Sequence, residues 1–423
     1  MMSLSQAPFT SDIGPEDGID FTYIIREIRN KLMVSGITVD SHVRAYIYFY
    51  LFSHFINKEN AANIDIPRRL LRSSNDRTRF TRMISNYDNS SIFPYFEKFF
   101  FPKLPKYDID KNTNNDIMCY LKEINEKNFS IDMLREQSKL SMTDNTSYDS
   151  MIKLCSPTRN DTFCDPFMEN GHIVYRYLKL QKDYIDDNIN AYESDTALLG
   201  SGRVLLFLQT LKFLENIYNS NPLVENFNHK GYDIIISRLP TTIFGITHAA
   251  TCDRVKDLKI RGTRFEQLAL QLIMKGLNKG GRACIIVTNG LLQSTSICGV
   301  ETRKYLLNNF EVEKIIELPN YENAIYFKYS GKPTTSIEYT YNFEKILYKL
   351  DIKELDENYI LMRSFYKNIS VKNELVEKVP TIVEKEVIKE PTVVEKVVPA
   401  KLDKNDQIIE LLKEIRDLLK KEI

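Results

Sequence analysis

The residues best placed to do chemistry stand at the end of one apolar run, Gly231–Pro240 (GYDIIISRLP). Three isoleucines behind a Tyr-Asp pair read as a strand buried on both faces, closed by Pro240. In α/β folds chemistry gathers where such a strand meets its loop, which singles out Ser237, Arg238, Leu239, Pro240 and Thr241. Arg238 offers only hydrogen-bond donors, and Thr241 carries no ring to stack on a ligand. A second candidate is Glu193, ending the short run Ile189–Glu193 (INAYE), where a carboxylate accepts from ribose hydroxyls in nucleotide-binding folds. The plainer alternative is a solvated glutamate at a strand end. A basic group, Arg238, Arg254, Lys256, Lys259, Arg261 and Arg264, could touch a phosphate backbone. It could equally be a solvated helix entrance.

The elements that would position these residues can be read around the same run. RFEQLALQLIMKGLNKGG places Phe265, Leu268, Leu272 and Ile273 on one helical face and is expected to stop at Gly280-Gly281. Ala283–Thr288 (ACIIVT) is the next buried strand, so the unit is strand, crossover helix, strand. Upstream, Asp161–Asp165 (DTFCD) and Ile189–Glu193 read as strands. They are separated by the helical GHIVYRYLKLQKDYI and followed by the helical ALLGSGRVLLFLQTLKFLENI. Downstream come a helix around Glu301–Asn309, a strand Val312–Leu318, and an alternating run Thr335–Tyr341 that looks like a late antiparallel strand.

Five regions are expected: a loose tail (1–20), a helical N-terminal domain (21–140), an α/β domain (141–370), a charged spacer (371–403) and an amphipathic helix (404–423). In the N-terminal domain FTYIIREIRNKLMV is amphipathic. VRAYIYFYLFSHFI is apolar all round, as a central bundle helix would be. The dense rings of IFPYFEKFFFP read as core rather than as a base-stacking patch. PTIVEK recurs as PTVVEK in the spacer, whose prolines forbid a continuous helix. In the last segment Ile408, Leu412, Ile415 and Leu419 form a coiled-coil seam, expected to pair with itself or with a partner protein.

Composition bounds the rest. The 57 Lys and Arg balance 57 Asp and Glu, so no bulk positive field advertises nucleic acid. Six scattered cysteines without a CxxC pair read as reduced thiols of an intracellular, soluble protein, cytoplasmic or, in a virus, in the virion or viral factory. Five isolated histidines argue against a metal site, and no apolar run reaches membrane-span length. Richness in Asn, Ile, Lys and Tyr, with no Trp, suggests an AT-biased genome, bacterial or viral.

The order of segments from Asp161 to Ile337 resembles the modification subunits of type I restriction–modification systems, which are DNA adenine-N6 methyltransferases. GGRACIIVTNGLL (Gly280–Leu292), IIELPN (Ile315–Asn320) and KPTTSI (Lys332–Ile337) are similar to the family's late strands and turns, and the N-terminal helices to its bundle. The resemblance implies an α/β, Rossmann-like, doubly wound methyltransferase sheet with S-adenosylmethionine as cofactor. It also implies a base flipped out of DNA as substrate. The family's glycine-rich cofactor turn, Asp-Pro-x-Cys-Gly-Ser-Gly-Gly, corresponds to Asp165–His172, where Asp165, Pro166 and Gly171 match. Met168, Glu169, Asn170 and His172 do not. Glu169 would set a carboxylate against the cofactor's own. Glu193 falls at the ribose-binding acid. The Asn/Asp-Pro-Pro-Tyr/Phe catalytic motif corresponds to Arg238, Leu239, Pro240 and Thr241, with donors where an acceptor is needed. The upstream Thr-Pro run is missing from SMTDNTSYDSMI.

The expectation is a methyltransferase fold without methyl transfer, with S-adenosylmethionine not bound and no metal, serving as a scaffold or DNA-associated subunit. Two alternatives stay open: an active divergent methyltransferase on DNA or RNA, and an interaction protein that needs no nucleic acid.

Overall fold

The computed structural model describes residues 20–59, 89–124, 145–240, 246–319 and 322–366. The spacer, the 404–423 helix and Thr241 lie outside them.

Helix α1 (Phe21–Val34) starts where the Asp20 carboxylate accepts from Thr22 N, and it buries Phe21, Ile24, Ile28 and Leu32 along one stripe. Helix α2 (Asp40–Glu59) is buried on nearly every side from Ala45 to His54, as an all-apolar helix must be. It packs against α3 (Asn89–Phe100) and α4 (Lys111–Lys122). The rings do form a core. Phe49 meets Phe96 at 5.2 Å and Phe52 meets Phe207 at 5.2 Å, centroid to centroid. Phe207 belongs to a helix of the α/β part, so this aromatic core runs straight into it.

The sheet has nine strands in the order β3-β2-β1-β4-β5-β7-β6-β8-β9. They are β1 (Phe163–Asp165), β2 (Ile189–Glu193), β3 (Ile217–Asn219), β4 (Tyr232–Arg238), β5 (Leu277–Val287), β6 (Glu311–Glu317), β7 (Asn323–Lys328), β8 (Ser336–Tyr341) and β9 (Lys345–Asp351). Strands β1 to β5 pair in parallel, and β7 runs antiparallel to both β5 and β6. The longer helices are α5 (Asn145–Cys155), α6 (His172–Leu180), α7 (Thr196–Thr210), α8 (Phe265–Gly276) and α9 (Ile297–Asn309). The chain winds outward from β1 through β2 to β3, then restarts at β4 on the other flank. The reversal therefore lies between β1 and β4, and the ends of those two strands flank the crevice where ligands of this architecture bind.

Several elements differ from the sequence reading. Helix α8 stops at Gly276, not at Gly280-Gly281, and β5 begins at once with Leu277 paired to Tyr232. The glycines serve a bulge in that strand. Gly280 has φ +84°, and a Cβ on Gly281 would stand 2.8 Å from the Asn278 carbonyl. Helix α7 ends at Thr210, where Leu211 turns left-handed, and of the residues read as its tail only Ile217 enters a strand, as the first residue of β3. Helix α6 likewise ends early, at Leu180. Strand β8 is antiparallel to β9 but parallel to β6. Strands β7 and β9 were not anticipated.

Candidate functional site

At the carboxyl end of β1, Asp165 is 1% exposed. Its Oδ1 accepts from Ser237 Oγ at 2.7 Å and from Phe167 N at 3.3 Å, while Oδ2 has no hydrogen-bond partner among the described residues. Burial pushes the carboxyl up to about 8, against the lowering pull of the Ser237 hydroxyl. At neutral pH it is therefore mostly a neutral acid that locks β1 to β4, facing its strand neighbour.

The turn after β1 is closed by its own side chains. Met168 is 2% exposed; its backbone N donates to Tyr192 O at 3.0 Å, and its carbonyl accepts from Gly171 N at 2.7 Å. Gly171 takes φ +79° and leads into α6, a left-handed position that suits glycine. The Met168 methyl lies where a Cβ on Gly202 of α7 would be, 2.5 Å away, so the thioether fills the gap between the turn and α7. Phe167 packs edge-on against Phe265 at 5.2 Å.

Across the crevice stands Arg238. Its Nε and Nη2 donate to Glu322 Oε1 at 3.0 and 2.6 Å, and its Nη1 donates to Glu169 Oε1 at 3.3 Å. All three side chains are about four-fifths buried, with 17, 22 and 16% exposure for Arg238, Glu169 and Glu322. Burial raises the pKa of Glu169, and the adjacent guanidinium opposes that shift. Glu169 thus does not point a bare carboxylate at a ligand, as the sequence suggested. It turns to Arg238, and the unusual residue of the turn and the unusual residue of the β4 edge form one ion-paired clasp. Glu322 is the member that the sequence could not reveal, because it lies 84 residues further on, just before β7.

The remaining positions are quickly placed. Leu239 is buried, and its N donates to Ile286 O at 3.0 Å, which continues the β4–β5 ladder. Glu193, at the end of β2, accepts from Asp195 N at 2.7 Å, and burial raises its pKa to about 7. Pro166, Glu193 and Pro240 line one cleft together with Phe167, Asn221 and Phe265, with about 20 Å³ of free volume. That is room for roughly one water. The structure therefore brings Pro166, Glu193 and Pro240 to one place and Arg238 to another, with Asp165 sealed between strands.

S-adenosylmethionine does not fit these residues as they stand. Phe167 and Met168 occupy the turn, the clasp spans the rim, and the cleft beside Glu193 is far smaller than a nucleoside. Among the described residues no group of three or more His, Cys, Asp or Glu could hold a metal ion, and no helix is long and apolar enough to cross a membrane.

In the basic group, Arg254 donates to His229 O and lies over the Phe227 ring at 5.4 Å. Lys256 reaches Asp253 at 4.0 Å. Lys259, Arg261 and Arg264 are exposed in the segment entering α8, and no ion pair is recorded for them among the described residues.

Sheet order, an antiparallel β7 inserted between β5 and β6, and a crevice between β1 and β4 define the class: the fold of the methyltransferase subunits described next. Within it, residues 150–330 match the family model for N-6 DNA Methylase. Beyond that span, most of the chain resembles type I modification subunits in fold. It is similar to a modification subunit of a type I restriction enzyme from Vibrio vulnificus YJ016, at 17% identity and TM-score 0.54, covering 76% of this chain and 83% of that one. It is also similar to the type I methyltransferase subunit from Streptococcus thermophilus, at 13% identity and TM-score 0.58, covering 80% and 98%. A chain from a structural account of type I restriction–modification complex assembly matches at 16% identity and TM-score 0.57, covering 94% and 96%. No curated protein sequence matches. At such identities the shared property is the fold.

Proposed function

We propose that this protein keeps the methyltransferase fold without its reaction and serves as a scaffold or DNA-associated subunit of a larger assembly. The clasp carries this reading. An adenine amino group is held by acceptors, and at the edge of β4 the structure offers a guanidinium that already donates to two carboxylates. The filled turn and the small cleft beside Glu193 support it further. For the DNA-associated role, the support is the resemblance together with the exposed Lys259, Arg261 and Arg264. For assembly, it is the seam of the 404–423 segment: light scattering should show partner or self-association that deleting this segment removes.

The deciding experiment is calorimetry with S-adenosylmethionine beside transfer of tritiated methyl to DNA and RNA. Neither binding nor labelling is expected; tight binding with labelled nucleic acid overturns the proposal. Glu193 favours the alternative of an active divergent methyltransferase, since it keeps an acid where ribose hydroxyls would bind. In that case Glu193→Ala abolishes both binding and labelling.

A further inference from the structure

Three large apolar side chains stand open to solvent at one corner of the sheet, where β8 turns into β9. Ile346 is 63% exposed, Phe365 57% and Tyr341 43%. Tyr341 pairs with Lys345 across the turn, and Thr340 with Ile346. Tyr341 also bounds a hollow together with Met362, Arg363 and Ser364, and Phe365 follows them directly in the chain. Aromatic rings and methionine grouped in the open mark a surface that meets another protein.

The corner is held rigid. In its turn Asn342 and Phe343 take φ +47° and +68°, left-handed positions that are costly for a residue as bulky as phenylalanine. Glu317 at the end of β6 supports the corner twice. Its carbonyl accepts from Asn342 N at 2.9 Å, and its carboxylate accepts from Arg363 Nε and Nη2 at 2.6 and 3.0 Å. The segment that carries Phe365 is tied down as well. Leu361 N donates to Leu292 O at 2.8 Å, and the Tyr366 hydroxyl donates to Ile360 O at 2.7 Å. Apolar groups fixed in this way lose little freedom when a partner covers them.

Charge says what the occupant is. Two copies related by a two-fold axis present the same residues to each other, so an unanswered charge meets its like. Here Glu317 and Arg363 answer each other. The exposed Glu344 and Lys345 are adjacent and opposite in sign, so antiparallel copies can set Lys345 against Glu344 of the second copy. We infer that this corner is an interface between two copies of the chain, with Tyr341, Ile346 and Phe365 at its centre. Three side chains alone do not bury the ~800 Å² per partner of a free-standing dimer. The described residues end at Tyr366, beside the corner, and residues 367–403 lead from there to the 404–423 seam. Pairing of two seams holds two corners at an effective concentration on the order of a millimolar, enough for a small interface. This tether rests on the proposed assembly role; the corner itself does not.

The test is analytical ultracentrifugation of the full chain across a concentration series, beside the double variant Tyr341→Ser, Phe365→Ser. Both substitutions lie at exposed positions, and circular dichroism verifies their folding. A dimer is expected, its dissociation constant raised at least about tenfold by the double variant, as for loss of central aromatic anchors. A photo-crosslinking p-benzoylphenylalanine in place of Phe365 should join two chains, the new bond mapping to the same corner of the second copy. A chain that stays monomeric overturns the inference, as does a crosslink that maps elsewhere or to a different protein. A double variant that dimerises as tightly as the parent also overturns it, and leaves the 404–423 assembly reading standing. If instead deletion of 404–423 changes nothing while the double variant weakens the dimer, the corner stands and the seam reading falls.

Discussion

A guanidinium between two carboxylates in a mostly dry rim makes its own prediction. Arg238→Met leaves Glu169 and Glu322 facing each other without a cation, at a cost of about 2–3 kcal/mol in urea unfolding. Replacing all three by apolar residues of similar size should restore most of that loss, whereas stability unchanged by Arg238→Met alone would show that the clasp contributes nothing. Asp165 gives a pH signature. Its folded pKa of about 8 lies above the unfolded value, so between pH ~4 and ~8 the folded state holds a proton that the unfolded chain has released. Its contribution to stability is therefore full below pH ~4 and falls by up to about 1.4 kcal/mol per pH unit as pH rises to ~8. Asp165→Asn keeps the acceptor for Ser237 and cannot ionise. Its advantage over the parent in thermal melts should grow steadily from pH 5 to pH 8, and a difference that is the same at both pH values would contradict the buried-acid account. The sequence showed that Arg238 and Glu169 depart from the motifs of the family it resembles. It did not show that they face each other, because their contact depends on the β1–β4 pairing and on a third residue far along the chain.

Helix α7 is packed closely against its neighbours, and its glycines record this. A Cβ on Gly200 would lie 2.4 Å from the Phe100 carbonyl and 2.6 Å from the Phe101 ring, whereas on Gly202 its nearest neighbour is the flexible end of Met168. Alanine normally favours a helix interior over glycine by about 1 kcal/mol. Gly200→Ala should nevertheless destabilise, by about 2 kcal/mol, because backbone cannot yield and overpacking outweighs propensity. Gly202→Ala should cost clearly less, and equal losses in chemical denaturation would refute this difference. The strands that the sequence made legible were those bounded by a hard stop. Tyr232–Arg238 ends before Leu239-Pro240, and Ile189–Glu193 is followed by the Asp195 cap of α7. Strand β7 was missed because NAIYFK is buried on both faces and so shows no alternation. Strand β9 was missed for the opposite reason, an edge position exposed along most of its length. The Gly280-Gly281 pair misled because two glycines mark a helix end and a strand bulge equally well; only the Leu277–Tyr232 pairing tells the two apart.

At the scale of the whole molecule, the balanced formal charge leaves nucleic-acid affinity to local groups. If the chain is DNA-associated, replacing Lys259, Arg261 and Arg264 together by alanine should weaken binding to duplexes of unrelated sequence alike. The slope of log affinity against log salt should drop by about 2–3. An unchanged slope in fluorescence anisotropy would move the contact elsewhere. The aromatic core shared by α2, α3 and α7 ties the helical N-terminal region to the sheet, so truncations that remove α2 should expose Phe207 and Phe213 and aggregate. The clasp also bears on descent. Restoring an asparagine at 238 by itself strands two like charges, and correcting either glutamate first leaves a cation half answered. If the reaction is indeed gone, every single step back toward a reactive rim passes through a weaker protein, and the three residues act as a ratchet that stability alone holds shut.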